Sequence, residues 1–336
     1  MEIVNLSDLD PSWNWLAKSF ESRTDLNWKH VSAQAQQVPA WLPRRHSLQR
    51  ASAALATRGL LPPGNSILVS HGPRMSMYGA FANSGKSRKV PHLAYSFNFT
   101  DLPTGWGKSA MRSAFNAVDR FAVFSTMERF LYADYFGIGL DRIDMIHWAV
   151  EPPVVPEVDK PLIEGEYICA VGSQARDYRV LMDAMSQLPY IRLVVVATAE
   201  SVAGVRVPSN VEIRFNVPLR QVHNIIAHCR FMVLPLAGSH VPCGHVTIVS
   251  AMHHGKAVVA TQSDGITDYI KDNINGRMVT PKNSDGLAGQ ISALYKDSTE
   301  TLRLGAAGKK FANSFCLEKN AVSYFRTILE ISGFRN

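Results

Sequence analysis

The stretch PLAGSHVPCGHVTIVSAMHHGKAVVATQSDGITD, residues 235–268, carries the most informative pattern in the chain. Apolar residues 231–236 predict a strand, a glycine-containing turn leads into a helix, and residues 257–261 predict a second strand. The first N–H groups of a helix lack partners within the helix, and the helix dipole is positive there. The stretch therefore predicts an anion-binding loop whose natural ligand is a phosphate group.

Outward from this stretch, helical segments alternate with apolar runs along the whole chain. The alternation predicts an α/β fold with parallel sheets, and 336 residues of 46% hydrophobic composition fit two domains better than one. Two such halves facing one another would place a ligand cleft outside the carboxyl ends of their strands. The strands predicted in the first half are residues 2–6, 67–70, 92–97, 121–125 and 143–148.

A proline-rich segment, residues 151–160, separates the two halves. It has neither helix nor strand periodicity, which is typical of an extended linker. We therefore predict a first Rossmann-like domain over residues 1–152 and a second over residues 153–315. Residues 316–336 are predicted to form a C-terminal helix that packs back on the first domain.

Composition and charge limit the compartment and the partners. The four cysteines lack metal-ligand spacing, the N-terminus lacks a signal-peptide pattern, and no apolar run approaches a membrane span of roughly 18 residues. These features predict a cytoplasmic protein. The net charge of +7 favours acidic partners, but no nucleic-acid-binding motif is present and we expect no nucleic acid partner.

Basic residues cluster twice in the first half, and two interpretations of these clusters remain open. One is a solvated surface, and the other is a peripheral contact with an anionic membrane. The clusters are Arg44, Arg45, His46 and Arg50, and then Lys86, Arg88 and Lys89.

The first candidate for phosphate binding follows the predicted strand at residues 167–171. Gly172 ends this strand, Ser173 begins a short loop, and Arg176 stands at the start of the next helix. An arginine fork beside a helix N-terminus suits a diphosphate through charge-assisted, often bidentate hydrogen bonds. The alternative is an ion pair of Arg176 with Asp177 or Asp183 on one helix face. Arg176 is our strongest phosphate-ligand candidate.

The second candidate is the loop that opens the helix of residues 245–254. Its backbone N–H groups would receive phosphate oxygens, and its side chains would reach a ribose or sugar hydroxyl. The N–H donors are Gly244, His245, Val246 and Thr247, and the hydroxyl-binding candidates are Ser250 and His245. A metal site from His240, Cys243 and His245 is the alternative, although its spacing matches no common zinc framework. We expect no metal ion.

Polar residues also end other predicted strands. Asp264 and Gly265 follow the strand ending at residue 261, where they would position the transferred group or form a plain turn. In the first half, His71 and Asn98 follow two predicted strands. A histidine at a strand end acts as a base, orients a hydroxyl, or has a structural role in capping the following helix.

The second half resembles the retaining GT-B glycosyltransferases of the family 4 type, often called group 1 glycosyl transferases. The resemblance implies a GT-B fold and a nucleotide-diphosphate sugar bound mainly by the second domain. It also implies retention of anomeric configuration and no need for a metal ion or other cofactor. Basic residues would then stabilise the departing diphosphate. The matching residues are Gly172, 176–178, Leu181, 250–252, 255–261, 265–266, 268–270 and 275–276.

The chain departs from the family pattern at two places. The family usually has two glutamates eight positions apart, whereas this chain has Ser250 at the second position and Pro242 near the first. The family's first domain commonly has a histidine where this chain offers Phe97 or Asn98. His71, one strand earlier, is the candidate that compensates. Donor and acceptor recognition are therefore expected to differ from the family's.

The resemblance predicts a transferase that moves a hexose from a UDP- or GDP-sugar to a lipid-linked or polysaccharide acceptor bound by the first domain. His71, Asn98 and Arg176 are the candidate catalytic residues. We expect the protein in the cytoplasm, with peripheral contact at the inner face of the membrane. The alternatives are a GT-B-shaped nucleotide-sugar binding or scaffold protein without turnover, and a nucleotide-sugar epimerase.

Overall fold

The computed structural model describes residues 1–84, 90–154, 160–240 and 242–331. The chain divides into two compact units, of which the first contains Met1–Ile146 and the C-terminal residues from Ala321, and the second contains His147–Asn320. Part of the predicted linker, residues 155–159, and the basic cluster of Lys86, Arg88 and Lys89 lie outside the described residues.

The first unit contains a sheet of six strands, which pair in parallel in the order β2-β1-β3-β4-β5-β6. Successive residues of β1 point to opposite faces, so that Ile3 and Val4 belong to hydrophobic clusters on the two sides of the sheet. The strands are β1 (Glu2–Ser7), β2 (Asn27–Ser32), β3 (Ser66–His71), β4 (His92–Tyr95), β5 (Arg120–Val123) and β6 (Ile143–Met145). The helices are α1 (Trp15–Lys18), α2 (Arg45–Ala56), α3 (Pro73–Ser84), α4 (Gly105–Phe115) and α5 (Thr126–Phe136).

The second unit repeats this plan with the parallel strand order β12-β11-β10-β7-β8-β9. Its strands are β7 (Ile168–Val171), β8 (Leu193–Ala197), β9 (Val211–Phe215), β10 (Met232–Leu234), β11 (Val258–Thr261) and β12 (Arg277–Val279). Its helices are α6 (Tyr178–Ser186), α7 (Leu219–His228), α8 (His245–His253), α9 (Ser284–Lys296) and α10 (Ser298–Phe315). Both sheets confirm the predicted α/β class.

The strand orders fix where each sheet can bind a ligand. In the first sheet the chain moves outward from β1 to β2 and then returns to β3 on the other side of β1. In the second sheet it moves from β7 to β8 and β9 and then returns to β10 on the other side of β7. A crevice opens at the carboxyl ends of the strands where the order reverses. These switch points lie between β1 and β3 and between β7 and β10.

The observed units differ from the predicted domains at both points where the chain passes from one unit to the other. The first lies at residues 146 and 147 and not at 152 and 153, because Trp148 and Val150 pack against the core of the second unit. The second lies at residues 320 and 321 and not at 315 and 316, because Cys316 is buried in that same core.

The last helix, α11 (Glu318–Ile331), supplies core residues to the first unit. Val322, Phe325 and Ile328 pack in a cluster that also contains Ile3 of β1 and Leu16 of α1. The helix therefore packs against one face of the first sheet. Within the described ranges, no helix has both the length and the apolar character needed to cross a membrane.

Candidate functional site

Two loops at the switch point of the second sheet pair with each other through backbone hydrogen bonds. After β7, the N–H of Asp177 donates to the carbonyl of Pro235 over 2.9 Å, and the N–H of Ala237 donates to the carbonyl of Ala175 over 3.0 Å. This pairing holds the loop after β7 against the loop after β10. The two sequence motifs singled out for phosphate binding are thus brought together.

Gly172 lets the Arg176 side chain lie over the end of β7. Its φ of +111° is in the left-handed region, and a Cβ atom built on it would come within 2.6 Å of Nη2 of Arg176. The backbone conformation favours glycine at this position, and a larger residue would displace the guanidinium of Arg176.

The guanidinium of Arg176 is partly buried and has neutral partners. Nη1 donates to the carbonyl of Gln174 over 2.8 Å, Nη2 donates to Oγ1 of Thr247 over 3.1 Å, and Sγ of Cys243 lies 3.9 Å from Nη1. Among the described residues, no carboxylate pairs with Arg176, and its buried Nε has no hydrogen-bond partner. Burial lowers its pKa. This is a charged group that lacks a counterion.

The predicted alternative, an ion pair with Asp177 or Asp183, is not formed. Asp177 is the N-cap of α6, where its carboxylate accepts a hydrogen bond from the N–H of Val180 over 3.1 Å.

Helix α8 begins beside Arg176, as the contact with Thr247 in its first turn shows. Gly244 is the N-cap with φ +108°, no side chain caps the helix, and its first turn contains no acidic residue. A Cβ atom on Gly244 would come within 3.0 Å of Cδ2 of Leu234, so glycine also allows close packing on β10. A cation beside a helix N-terminus is unfavourable unless an anion joins them. The arrangement is suited to an anion.

His245, a predicted hydroxyl ligand, is buried among aromatic residues. The residue is 4% exposed, and its ring stacks on that of Tyr269 with the centroids 5.9 Å apart. The ring centroid of Trp148 lies 6.0 Å from that of His245. Burial, aided by the charge of Arg176, lowers its pKa to about 4. His245 is a neutral packing residue, whereas the next residue, Val246, is half exposed.

Two predicted serine ligands already have protein partners. Oγ of Ser173 accepts a hydrogen bond from the N–H of Thr198 over 2.8 Å, which ties the loop after β7 to the loop after β8. Oγ of Ser250 lies 3.3 Å from Nδ1 of His223 on α7. Sequence reasoning missed His223, because nothing in the sequence of α7 indicates that it faces Ser250.

Asp264 and Gly265 form a turn after β11 that is tied to the loop after β10. The Asp264 N–H donates to the carbonyl of Ser239 over 2.7 Å, and its carboxylate lies 2.7 Å from Nδ1 of His240. Gly265 is buried within this turn. His240 is therefore engaged with Asp264, and across the described ranges no three histidine, cysteine, aspartate or glutamate side chains form a group that could hold a metal ion.

In the first unit, His71 and Asn98 line one cavity of about 360 Å³ at the switch point between β1 and β3. His71 is the last residue of β3, is 4% exposed, and packs edge-on against Trp13 with centroids 4.8 Å apart. Burial lowers its pKa to about 3, so it is poorly suited to act as a base at neutral pH. Sequence reasoning missed Asp8 and Arg74, which line the same cavity.

Comparison with known families gives a match within the second unit. Residues 165–297 match the family model described as Glycosyl transferases group 1, and this range lies entirely within the second unit. No curated protein matches the chain.

Solved structures resemble the whole chain. Sucrose-phosphate synthase from Thermosynechococcus elongatus is 13% identical, with 98% of each chain covered and a TM-score of 0.74. Anabaena HepE, solved in complex with UDP-glucose, is 15% identical, with 98% of this chain and 100% of that chain covered and a TM-score of 0.74. The lipopolysaccharide outer core galactosyltransferase WaaB is 14% identical, with 98% and 99% covered and a TM-score of 0.67. These similarities confirm the predicted GT-B fold.

Proposed function

We propose that the chain is a retaining, metal-independent glycosyltransferase that moves a hexose from a UDP- or GDP-sugar to a lipid-linked or polysaccharide acceptor. The observation that carries the proposal is Arg176, a partly buried guanidinium without a carboxylate partner among the described residues, beside the uncapped N-terminus of α8. The matched family and the ligand named for HepE support a nucleotide sugar as its partner.

A diphosphate satisfies this arrangement better than a single carboxylate does. One phosphoryl group would take the free donor capacity of Arg176, and the other would take the N–H groups of the first turn of α8. Negative charge grows on the diphosphate as the bond to the sugar breaks. Donors that are already fixed in place by Gly172, Gly244 and Thr247 would stabilise that charge without reorganising.

The test is calorimetric titration of UDP and GDP into the wild-type chain and into Arg176→Ala. We expect the substitution to weaken the binding of the preferred nucleotide at least tenfold, since a charge-assisted hydrogen bond contributes about 1.5–3 kcal/mol. The matched control is Arg206→Ala, which removes an exposed arginine of the same unit and leaves the affinity unchanged. Equal nucleotide affinity in all three proteins would rule out the assigned site.

Turnover separates the transferase from the other candidates. Ser250 is engaged with His223 and Pro242 has no ionisable group, so neither residue supplies the carboxylates that the family usually has. This favours a second candidate, a nucleotide-sugar binding protein without turnover. Release of UDP or GDP from the bound sugar nucleotide in the presence of glycan acceptors supports a transferase. Binding without release, or conversion of the sugar without an acceptor, supports the binding protein or an epimerase respectively.

The first unit is proposed to bind the acceptor and to contact the inner face of the membrane from the cytoplasm. Trp41 and Trp106 are 80% and 94% exposed there, and Arg44 precedes α2. Exposed tryptophans and basic residues are both typical of proteins that bind an anionic interface. Sedimentation with vesicles that contain phosphatidylglycerol tests this. We expect binding that Trp106→Ala weakens, and no binding to vesicles of phosphatidylcholine alone.

A further inference from the structure

The positive charge of the chain is concentrated in one stretch, residues 26–100. This stretch contains nine of the 35 lysines and arginines and none of the 28 aspartates and glutamates. The rest of the chain therefore has 26 basic residues against 28 acidic ones, so the net charge of +7 originates in this stretch. Helices α2 and α3 of the first unit belong to it, and neither helix contains a carboxylate.

Helices α2 and α3 lie side by side on one face of the first sheet. Ala53 of α2 and Met75 and Ala82 of α3 share a buried cluster with Val4 of β1. Each helix connects two parallel strands of the sheet, so the two helices run in the same direction. Helix α11 packs on the opposite face of the sheet. The sides of α2 and α3 that point away from the sheet therefore form one surface.

Helix α2 buries small side chains and exposes larger apolar ones, which reverses the usual pattern of a surface helix. Ala53 and Ala54 are buried, whereas Leu48 and Leu55 are 43% and 55% exposed. Residues seven positions apart lie on the same side of a helix, so the two leucines share the outward side of α2. Arg45, three positions before Leu48, is exposed there as well.

Helix α3 has the same reversed pattern. It buries Ala80 and Ala82 and leaves Phe81, which lies between them, 45% exposed. Arg74, seven positions before Phe81, is exposed on the same side of the helix. The outward surface of the two helices, which we call the α2–α3 face, consists of Arg45, Leu48, Leu55, Arg74 and Phe81.

The arginines of the α2–α3 face have no acidic partner in the described part of the chain, in contrast to another arginine of α2. Arg50 pairs with Asp8, with 2.9 Å between its Nη2 atom and the carboxylate oxygen. Neither Arg45 nor Arg74 forms such an ion pair with a described residue. Exposed apolar side chains together with cations, and without acids, are typical of surfaces that bind anionic lipid.

We infer that the α2–α3 face binds an anionic lipid bilayer, with its three apolar side chains inserted among the lipids and its two arginines paired with lipid phosphates. The inference rests on the proposed function, of which membrane contact is a part, and it assigns that contact to one surface. A neutral bilayer would leave the arginines without a counterion. A second copy of the chain would bring two positive faces together, which is unfavourable because the α2–α3 face has no carboxylate to offer.

The experiment measures sedimentation of the full chain with two kinds of vesicle, equal parts of phosphatidylglycerol and phosphatidylcholine, or phosphatidylcholine alone. We expect binding to the anionic vesicles only. Leu55→Ser and Phe81→Ser should each weaken this binding roughly tenfold, because each removes apolar area that the lipids would cover. Arg45→Gln and Arg74→Gln should each weaken it about fivefold, because each removes one positive charge near the lipid surface.

The matched controls change exposed residues of the second unit. Leu302→Ser and Arg206→Gln should bind the anionic vesicles as the wild type does. Added salt separates the two contributions, because it screens charge and not apolar insertion. It should weaken binding of the wild type and leave the ratio between wild type and Phe81→Ser unchanged. All four substituted positions of the α2–α3 face are exposed, so we expect these variants to fold as the wild type does.

The inference is overturned if the wild-type chain binds neutral and anionic vesicles equally, or if the four variants bind anionic vesicles as tightly as the controls do. In the second case, membrane contact stands and another surface provides it. Absence of binding to any vesicle would reject membrane contact together with the inference, and would favour an acidic protein as the partner of this face. Titration of UDP and GDP tests the transferase separately, because the nucleotide site lies in the second unit.

Discussion

Gly72 and Gly172 both follow a strand beside the switch point of their sheet, on opposite sides of the reversal, and their surroundings differ. Gly72 follows β3 with φ +82°, and Gly172 follows β7 with φ +111°, each at the switch point of its sheet. A Cβ atom on Gly172 would strike the guanidinium of Arg176, whereas one on Gly72 would meet nothing within 4 Å. The second unit thus holds a cation fixed over its switch point, and the first unit leaves its switch point open.

This difference suggests a division of chemistry between the two sheets. A cation fixed in advance suits a ligand whose charged part is always the same, such as a diphosphate. An open crevice is compatible with the acceptor that we propose for the first unit. The proposed donor and acceptor sites follow this division.

The largest expected effect is a loss of folding stability at acidic pH, because each switch point has a buried neutral histidine nearby. The pKa of His245 in the folded chain is about 4, below the ordinary 6.5, so the unfolded chain binds more protons between these pH values. Stability therefore rises with pH across this window and is lost as the pH falls from 6.5 to 4. For His245 the loss is on the order of 3 kcal/mol.

Urea unfolding at pH 7, 5.5 and 4.5 checks this prediction. His245→Phe keeps an aromatic ring against Tyr269 and should remove the contribution of His245 to the pH dependence of the free energy of unfolding. The control, Arg206→Ala, changes an exposed residue of the same unit and should leave the slope as in the wild type. An unchanged slope in His245→Phe would mean that other groups cause the acid sensitivity.

The second prediction compares the two glycines directly. Gly172→Ala imposes a strained φ and a clash with Arg176, and should lower the free energy of unfolding by about 2 kcal/mol or more and weaken nucleotide binding at least tenfold. Gly72→Ala imposes only the strained φ and should leave nucleotide binding unchanged. Gly204→Ala, also with positive φ and open space, controls for strain within the second unit. Equal nucleotide affinity in Gly172→Ala and Gly204→Ala would contradict the assigned position of Arg176.

The sequence predicted the second unit better than the first, for a physical reason. Gly172, Arg176 and Gly244 lie in two local motifs, each a strand, a loop and a helix start, so local pattern was enough to predict them. That Nη2 of Arg176 meets Thr247 depends on the pairing of two distant loops, which no local pattern shows.

In the first unit, Asp8 and His71 line one cavity although they come from a loop after β1 and from the end of β3. Strand β2 of this unit was not predicted, because Asn27, Lys29 and His30 interrupt the apolar pattern of this half-buried edge strand. Without β2, the strand order cannot be derived, and neither can the switch point beside β1. His71 and Asn98 were selected singly as strand ends, and only the fold places them together.

The third prediction tests whether Arg176 acts as a fork or as a point charge. Arg176→Lys keeps the charge but loses the planar guanidinium, whose two Nη atoms donate to Gln174 and Thr247 at the same time. We expect roughly tenfold weaker nucleotide binding, corresponding to about 1.4 kcal/mol. Arg74→Lys in the first unit changes an exposed arginine that is not fixed by such bonds, and it should leave nucleotide binding unchanged. A loss of nucleotide affinity in Arg74→Lys equal to that in Arg176→Lys would remove the proposed distinction between a fixed and an open site.

The smallest expected effect is that of Thr247→Val, which keeps the shape of the side chain and removes its hydroxyl. Oγ1 of Thr247 accepts the hydrogen bond that aims Nη2 of Arg176, so its loss frees the guanidinium without removing the charge. We expect a loss of about 1 kcal/mol in nucleotide binding, the usual net contribution of one hydrogen bond. Combined with Arg176→Ala, the substitution should have no further effect, because the hydroxyl then has no guanidinium to position. Additive losses in the double variant would show that Thr247 binds the nucleotide itself, and that the second unit holds its ligand through α8 as much as through its fixed cation.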